Sequence, residues 1–386
     1  MAAGAARLPA SSRVPGSGSA PSSRARGAWG SSGCSSRGGS SGRGGSVAVR
    51  SSSIVAIDGV RPEIDAAIAS ARVLTETDLG VGTKYRGKVR DTYDLGDKLV
   101  IVTTDRQSAF DRHLASVPLK GAVLNRASAW WMEHTRDVAP NALLSVPHPN
   151  ASIMRRCDVF PVEFVVRGYA TGSTDTSLWT HYAAGVREYC GHSLPEGLRK
   201  NDRLPRNLVT PTTKSETHDE PVSGEEAVER GLLSRGDWEA ASSAALALFA
   251  RGQAVAARRG LVLVDTKYEF GRDPETGRVV LVDEIHTPDS SRYWIAGSYE
   301  QRHAQGLEPE SVDKEFLRLW FRNNSDPYND ATLPEAPQEL VRELARRYVY
   351  LYETITGEEF VPPTPEEQDP EGLKKAVERA LDALGA

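Results

Sequence analysis

An α+β fold is what this 386-residue sequence predicts. Its segments of period-2 alternation are joined by short turns rich in Gly and Asp, so they pair as hairpins. Its segments of 3.6-residue periodicity come in separate blocks instead of between every two strands. The strict βαβ order that builds a doubly wound parallel sheet is therefore not followed. A composition of 39% hydrophobic and 26% charged residues is ordinary for a soluble globular chain. The length suits two domains or one large one.

The first fifty residues stand apart. They are rich in Ser, Gly, Ala and Arg and hold no Asp, Glu or Lys; the first acid is Asp58. There is no apolar core of a secretory signal, and an acid-free, Arg- and Ser-rich leader is the composition of an organelle transit peptide. Residues 1–52 are expected to be a disordered transit peptide. The high Ser content and the lack of a clear amphipathic helix favour the chloroplast stroma over the mitochondrion. The formal net charge is −5, and the seven arginines of this leader leave the remainder near −12. Such a body does not suit nucleic acid, and an anionic ligand on it needs local cationic clamps. No apolar run reaches the roughly 18 residues of a membrane span. Cys34, Cys157 and Cys190 form no CxxC pair, so reduced thiols are expected instead of a disulfide framework or zinc site.

Along the body, residues 62–79 read as a short helix ending at Gly80 and Gly82. Residues 85–95 and 98–103 read as two strands about an LGD turn. Residues 121–134 carry Val123, Leu124, Ala127, Trp130 and Trp131 on one helical face, which places the tryptophans in the core. Residues 160–166 form a strand, 168–173 a glycine turn and 175–184 a helix. Residues 199–224 are polar and Pro-rich, a long loop of the kind that is usually functional or disordered. Ser223 caps a helix with Glu225 and Glu226 at its positive end. An Ala-rich helix spans 238–259, strands run over 261–270 and 278–284 about a DPETG turn, and helices at 311–322, 335–356 and 370–384 finish the chain.

The strand LVLVDTKYEF carries the chemistry. Side chains alternate faces, so Leu261, Leu263, Asp265, Lys267 and Glu269 are expected on one face, with Val262, Val264, Thr266, Tyr268 and Phe270 on the other. Pairing Phe270 with Arg278 puts Asp283 on the face of Asp265, Lys267 and Glu269; a one-residue slip would undo this. Three carboxylates and a lysine in one patch are costly unless paired or metal-bound, and neighbouring carboxylates suit Mg²⁺ shared with substrate phosphates. A solvated face of cross-strand ion pairs is the plain alternative. In the loop that follows, DEIHTPDSSRYW, Arg292 offers a planar fork for an anion, while His286 serves a local hydrogen bond. In RGKVR, on the first strand of the early hairpin, Gly87 allows close backbone approach and Lys88 and Arg90 can meet polyphosphate. In RGYATGS, Arg167 is a clamp and amides near Ser173 can cradle an anion. No GxSxG, HExxH or Rossmann fingerprint occurs.

Taken together, RGKVRDTY, TDRQSAFD, LNRASAWW, PVEFVVRGYATGS, TPTTKSETHDEP, LVDTKYEFG, VDEIHTPDSSRYW and DKEFLRLW closely resemble, in this order, the SAICAR synthetase family. The likeness covers nearly all of residues 80–330 and departs from the pattern at Gln107 and Leu319. It implies a two-lobed α+β fold related to kinase and ATP-grasp architectures. ATP would lie between an N-terminal lobe, 53–165, and a C-terminal lobe, 166–386. It also implies an ATP-dependent ligase using Mg²⁺, with CAIR (carboxyaminoimidazole ribonucleotide) and L-aspartate as small-molecule partners. Gly87, Lys88, Val89 and Arg90 would cover ATP, Val159 would offer its backbone to adenine, and Lys267 would contact the nucleotide. Glu269 and Asp283 would hold the metal and, with Lys267, form the catalytic row. Arg167, Ser173 and Arg292 would clamp the ribotide's phosphate or carboxylate, Asp289 and Ser291 would bind substrate, and Lys214 and Asp219, also substrate-binding, would sit on a loop that closes over the ribotide or the aspartate. A small-molecule kinase or a binding protein with structural acids are the rival readings. The oligomeric state is left open, a homo-oligomer included.

Overall fold

The computed structural model describes residues 57, 59–214 and 219–385. The chain divides into Met1–Ser52 and Ser53–Ala386, and the expected transit peptide lies outside the described residues. Helix α1, Pro62–Ser70, starts on a proline with Glu63 and Asp65 in its first turn, a sound helix start. It is shorter than the expected 62–79. After it the chain runs extended, and the Leu74 amide donates to the Asp105 carboxylate at 2.8 Å.

Strands β1, Thr83–Arg86, β2, Arg90–Asp94, and β3, Lys98–Thr103, form a meander. The expected single strand over 85–95 is thus two strands, and residues 87–89 are the turn between them: Arg86 faces Asp91, and the Gly87 amide donates to the Arg90 carbonyl at 2.8 Å. A small hairpin follows, β4, Arg106–Ala109, and β5, Arg112–Ser116. Its corner places Phe110 and Asp111 at φ of 54° and 57°, the left-handed pair of a tight hairpin turn. Helix α2, Lys120–His134, leads to β6, Leu143–His148, and β7, Ala151–Arg155. The first sheet has the order β1-β2-β3-β7-β6, antiparallel throughout.

Strand β8, Asp158–Tyr169, contains the expected division at residue 165 and belongs wholly to the second sheet. Next come helix α3, Leu178–Ala183, the two-residue strands β9, Glu188–Tyr189, and β10, His192–Ser193, then β11, Arg203–Val209, and β12, Thr212–Thr213. The stretch expected as a structureless loop, 199–224, therefore contributes two strands paired with β8. Helix α4, Gly224–Glu229, has the expected cap at Ser223, reciprocated by Glu226 as a capping box. Helix α5, Arg235–Arg258, precedes β13, Leu261–Arg272, β14, Val279–Leu281, and β15, Ser291–Ile295. The second sheet runs β11-β8-β13-β14, with β12 also on β8 and β15 also on β13. Helices α6, Ala296–Ala304, α7, Glu315–Asn324, α8, Gln338–Thr356, and α9, Pro370–Ala383, complete the chain.

Helix α5 buries Ala241, Ala245, Leu248 and Phe249 against Phe164 and Val166 of β8 and Tyr268 and Phe270 of β13, in the core that also takes Trp131. Each large apolar side chain removed from water there contributes about 1.5–3 kcal/mol. Gly252 lets the helix come close: a Cβ on it would lie 2.5 Å from His286 Cε1 and 2.6 Å from Leu263 Cδ2. A second core gathers α1, α2, α7 and α8, and α9 covers Val100, Val102 and Ile153 of the first sheet with Leu373, Val377 and Leu381.

Two expectations about β13 are corrected. Phe270 pairs with Leu281, Gly271 with Val280 and Arg272 with Val279, three residues away from the expected partner Arg278. The reason is the turn, which the Asp273 side chain lengthens by holding the Glu275 amide and the Thr276 hydroxyl. An odd shift would turn Asp283 away, but β14 ends at Leu281, so Asp283 lies beyond the ladder and reaches Lys267 at 3.8 Å. Secondly, Leu261 and Leu263 share the core of Tyr268 and Phe270, not the face of the charged row. A β-bulge between Leu263 and Asp265, opposite β15, inserts one residue and exchanges the faces.

Candidate active site

Past that bulge, Asp265, Lys267 and Glu269 turn away from the core. Beside them runs β8, whose register sets Glu163 opposite Glu269 and Arg167 opposite Asp265. The Lys267 ammonium donates to Glu269 and lies 3.1 Å from Glu163 and 3.8 Å from Asp283. Lys214, from the segment after β12, reaches the other Glu269 oxygen at 2.5 Å. Arg90, at the end of the β1–β2 turn, forks between Asp283 and Glu284. Three cations thus face four carboxylates where the two sheets meet.

Electrostatics follow from the geometry. Burial alone would raise the Glu269 carboxyl, but the Lys267 and Lys214 ammoniums outweigh it and hold that group well below the usual range. Burial would lower the Lys267 ammonium, but Glu269, Glu163 and Asp283 push it well above its ordinary value. Asp283 is raised: burial, with repulsion from Glu269 and Glu284, exceeds the pull of Arg90 and Lys267.

The other residues expected around a nucleotide are scattered about this cluster. Lys88 is exposed on the turn and pairs with Asp111 of the β4–β5 hairpin at 2.5 Å. Gly87 and Val89 complete the turn, which corrects their expected place on a strand. Val159, at the start of β8, is 44% exposed. Ile101, Thr103, Ser152 and Met154 of the first sheet and Leu124, Ser128 and Met132 of α2 line a narrow cleft whose wall also includes Arg90, Asp283 and Glu284.

A second constellation lies two residues along β13. The Asp265 carboxylate accepts from Arg292 Nη1 at 2.6 Å and lies 3.6 Å from Arg167 Nη1. Arg167 is fixed further by Nε to the Thr210 hydroxyl, 2.8 Å, and Nη2 to the Thr176 carbonyl, 2.9 Å. A cavity of about 170 Å³ is lined by Arg167, Asp265, Lys267, Asp289, Ser291 and Arg292, together with Asp313, Lys314 and Arg318. Gly172, at φ 107°, carries the chain close beneath it: a Cβ there would meet Ser177 Oγ at 2.4 Å. Lys267 belongs to both the charged cluster and the cavity wall.

Not every expected residue faces this cavity. Ser173 is not in its wall; its hydroxyl donates to Glu315 at 2.7 Å. Ser291 shares a hydroxyl contact with Thr266 at 2.7 Å. Asp289 reaches the wall while held by the buried Lys120 ammonium, 2.9 Å, and by the Tyr348 hydroxyl, which donates to it at 2.5 Å. Burial would raise the Asp289 carboxyl, but Lys120 and Lys314 outweigh it and hold it low. Asp219 is partly buried next to residues outside the described set.

Several functional candidates escaped sequence reasoning. Glu163 and Glu284 join the charged cluster. Lys314 and Arg318 add two cations to the cavity, on one face of a helical turn within DKEFLRLW, and that spacing was the available signal. Burial, then the neighbouring Arg318, lowers Lys314 to about 8, and burial lifts Asp313 to about 6. Burial would raise Glu315 too, but Arg292 and Arg318 hold it down to about 2.

Carboxylates able to share a cation, lysines beside them and a guanidinium-lined cavity one strand step away suit an enzyme that transfers a phosphoryl group onto a second anionic small molecule. The family model of SAICAR synthetase matches residues 83–334. The chain belongs to that family. It is 62% identical over 288 residues to the phosphoribosylaminoimidazole-succinocarboxamide synthase of Legionella pneumophila, covering 75% of this chain and 92% of that one. It is 57% identical over 319 residues to an Arabidopsis thaliana relative named as the chloroplastic synthase, 81% of this chain and 77% of that one. A solved Saccharomyces cerevisiae SAICAR synthase, complexed with SAICAR, superposes with a TM-score of 0.65 at 32% identity, over 74% of this chain and 99% of that one.

Proposed function

We propose that this chain carries out the reaction of its family, the ATP-dependent joining of CAIR and L-aspartate to give SAICAR, ADP and phosphate in de novo purine (IMP) biosynthesis. The observation that carries the assignment of residues is the shared position of Lys267, on the wall of the guanidinium-lined cavity and inside the carboxylate cluster. A carboxylate is a poor acyl donor because oxide would have to leave. An oxygen of the CAIR carboxylate attacks the γ-phosphorus, the bond to the β–γ bridging oxygen breaks and ADP departs. The aspartate amine then attacks the acyl carbon, phosphate leaves with the electron pair of the carbon–oxygen bond, and the nitrogen gives up a proton.

In this reading the β1–β2 turn, Gly87 to Arg90, covers the ATP phosphates, and Val159 offers its backbone to adenine. Lys267 and Lys214 neutralise charge on the phosphates. Arg167 and Arg292, with Lys314 and Arg318, hold the ribotide's anionic groups, and Asp289 and Ser291 shape the wall. Ser173 acts through Glu315, which sets Arg292 and Arg318. Lys214 and Asp219 flank a segment that closes over the ribotide or aspartate. The N-terminal lobe, expected as 53–165, ends in this reading before β8, which belongs wholly to the second sheet.

Mg²⁺ fits the donor set. Among the described residues no three His, Cys, Asp or Glu side chains form an all-protein cage, and Mg²⁺ is typically held by one or two carboxylates plus substrate phosphates. Glu269 and Asp283 would hold it, and when bound it would supply positive charge against the γ-phosphate.

Residues 1–52 are assigned as a plastid transit peptide delivering the enzyme to the stroma. Their composition and the Arabidopsis relative's chloroplastic name support this. The reaction is tested by incubating the protein with ATP, Mg²⁺, CAIR and aspartate and leaving out each in turn. SAICAR and ADP form only with all present. ADP release accompanied by a stable product without aspartate favours a kinase, and no ADP under any condition refutes both.

A further inference from the structure

Away from the site just described, α2, α5 and Ile355 of α8 border an open cavity of about 640 Å³, lined by Trp130, Trp131, His134, Arg251, Arg258 and Arg259 along with smaller apolar groups. None of these residues belongs to the carboxylate cluster or to the ribotide cavity. The volume lies within the range of small-molecule sites. Its aromatic part is already a stack: the Trp130 and His134 rings lie 4.0 Å apart at 18°, and Trp131 meets Trp130 edge-on. Its cations differ in their partners. Arg251 is held by Asp137 at 2.7 Å, whereas the exposed guanidiniums of Arg258 and Arg259 have no carboxylate within ion-pair distance among the described residues. The body of the chain carries about twelve excess negative charges, so two unpaired cations side by side at an aromatic cavity mark a place suited to an anion. Stacking and cation–π contact recruit a planar ring, and the arginine forks recruit phosphate.

We propose that this cavity is a second ligand site, for a nucleoside phosphate whose base packs against Trp130 and whose phosphate meets Arg258 and Arg259. Trp131 connects it to the rest of the molecule. Its ring meets the buried His286 ring edge-on at 4.5 Å, and His286 lies in the segment that carries Asp283, Glu284 and Asp289. Occupancy of the cavity therefore bears on the packing beneath that segment.

The probe is AMP, titrated by equilibrium dialysis into the full chain, with inorganic phosphate as a second probe. The comparison proteins are Arg258→Glu/Arg259→Glu and the milder Arg259→Gln. The expected result is an AMP-binding equivalent that weakens at least tenfold in the double variant and measurably in Arg259→Gln. The KM values for ATP, CAIR and aspartate should stay within twofold of the parent. AMP binding unchanged by both variants overturns the proposal, as does a loss matched by an equal rise in the ATP KM, which would mean that the nucleotide binds only at the catalytic centre. Should the double variant not fold, Arg259→Gln and quenching of Trp130 fluorescence, with Trp130→Phe as control, decide by the same criteria. Parent activity is measured separately, so failure of the proposed reaction and failure of this site are distinct results.

Discussion

Replacing Glu269 with Gln keeps the side chain's size and removes the charge at the centre of the carboxylate cluster. In the fold, Glu269 holds Lys214 with one oxygen and Lys267 with the other. The two lysines then fare differently. Lys267 retains Glu163 at 3.1 Å and Asp283 at 3.8 Å, while Lys214, half-exposed, returns to solvent. A buried ion pair that loses one member outright costs about 3–5 kcal/mol. With Lys267 still partnered, the cost here should be smaller, about 1–2 kcal/mol. Catalysis should suffer more. The carboxylate is proposed to hold Mg²⁺ against the ATP phosphates, and its loss should lower kcat at least about 100-fold, roughly 2.7 kcal/mol of barrier. The assay is steady-state ADP release at varied Mg²⁺ and saturating CAIR and aspartate, with urea unfolding in parallel. A variant that turns over normally with an unchanged Mg²⁺ requirement, and differs only in stability, would refute the metal assignment and leave a structural ion-pair network.

Arg292→Lys keeps the charge but loses the fork that meets Asp265 and Glu315, so the CAIR KM should rise about tenfold with the ATP KM unchanged; initial-rate kinetics at varied CAIR check this. Lys314, lowered to about 8, is charged below that pH and neutral above it. The CAIR KM should therefore climb as pH rises through about 8, and Lys314→Arg should remove the climb. His286 is buried neutral with a pKa of about 3 against 6.5 in the unfolded chain. Below 6.5 the unfolded state takes up a proton that the folded state refuses, so stability should fall by up to roughly 1.4 kcal/mol per pH unit until the folded ring titrates. His286→Gln should flatten that slope in urea titrations between pH 6.5 and 4. A chain starting at residue 53 should keep full activity in the four-component assay.

Much of the fold could be read from periodicity. Helices α2, α5, α8 and α9 fell within a few residues of their expected spans because each has a sustained apolar face. The charged row of β13 was legible because alternating Asp, Lys and Glu in an apolar strand is costly without a purpose. The bulge before Asp265 was not, because one extra residue leaves no mark in composition; only the partner strand reveals it. The register of β13 with β14 failed for a related reason: side-chain hydrogen bonds of Asp273 set the turn length, and those are tertiary facts. Motif likeness put Lys214 on a closing loop, and its contact with Glu269 depends on β12 pairing with β8, in a stretch too polar to suggest strands. Glu163 passed unnoticed because it sits singly among Val and Phe, where it reads as an ordinary solvent-facing position.

Both proposed substrate regions hang on one strand. Asp265, which sets the two arginines of the proposed ribotide cavity, and Glu269, the proposed metal ligand, are four residues apart with Lys267 between them, about 13–14 Å of extended backbone. Strand β13 is hydrogen-bonded along its length by β8 on one side and by β14 and β15 on the other, so it behaves as a rigid ruler. A shift of the β1–β2 turn, which is proposed to cover the ATP phosphates, would leave the interval between these positions of β13 unchanged. A bisubstrate inhibitor linking a nucleotide to an imidazole ribotide therefore has its linker length set by the pitch of this strand, and it should tolerate changes in the covering turn better than any change of phase within β13.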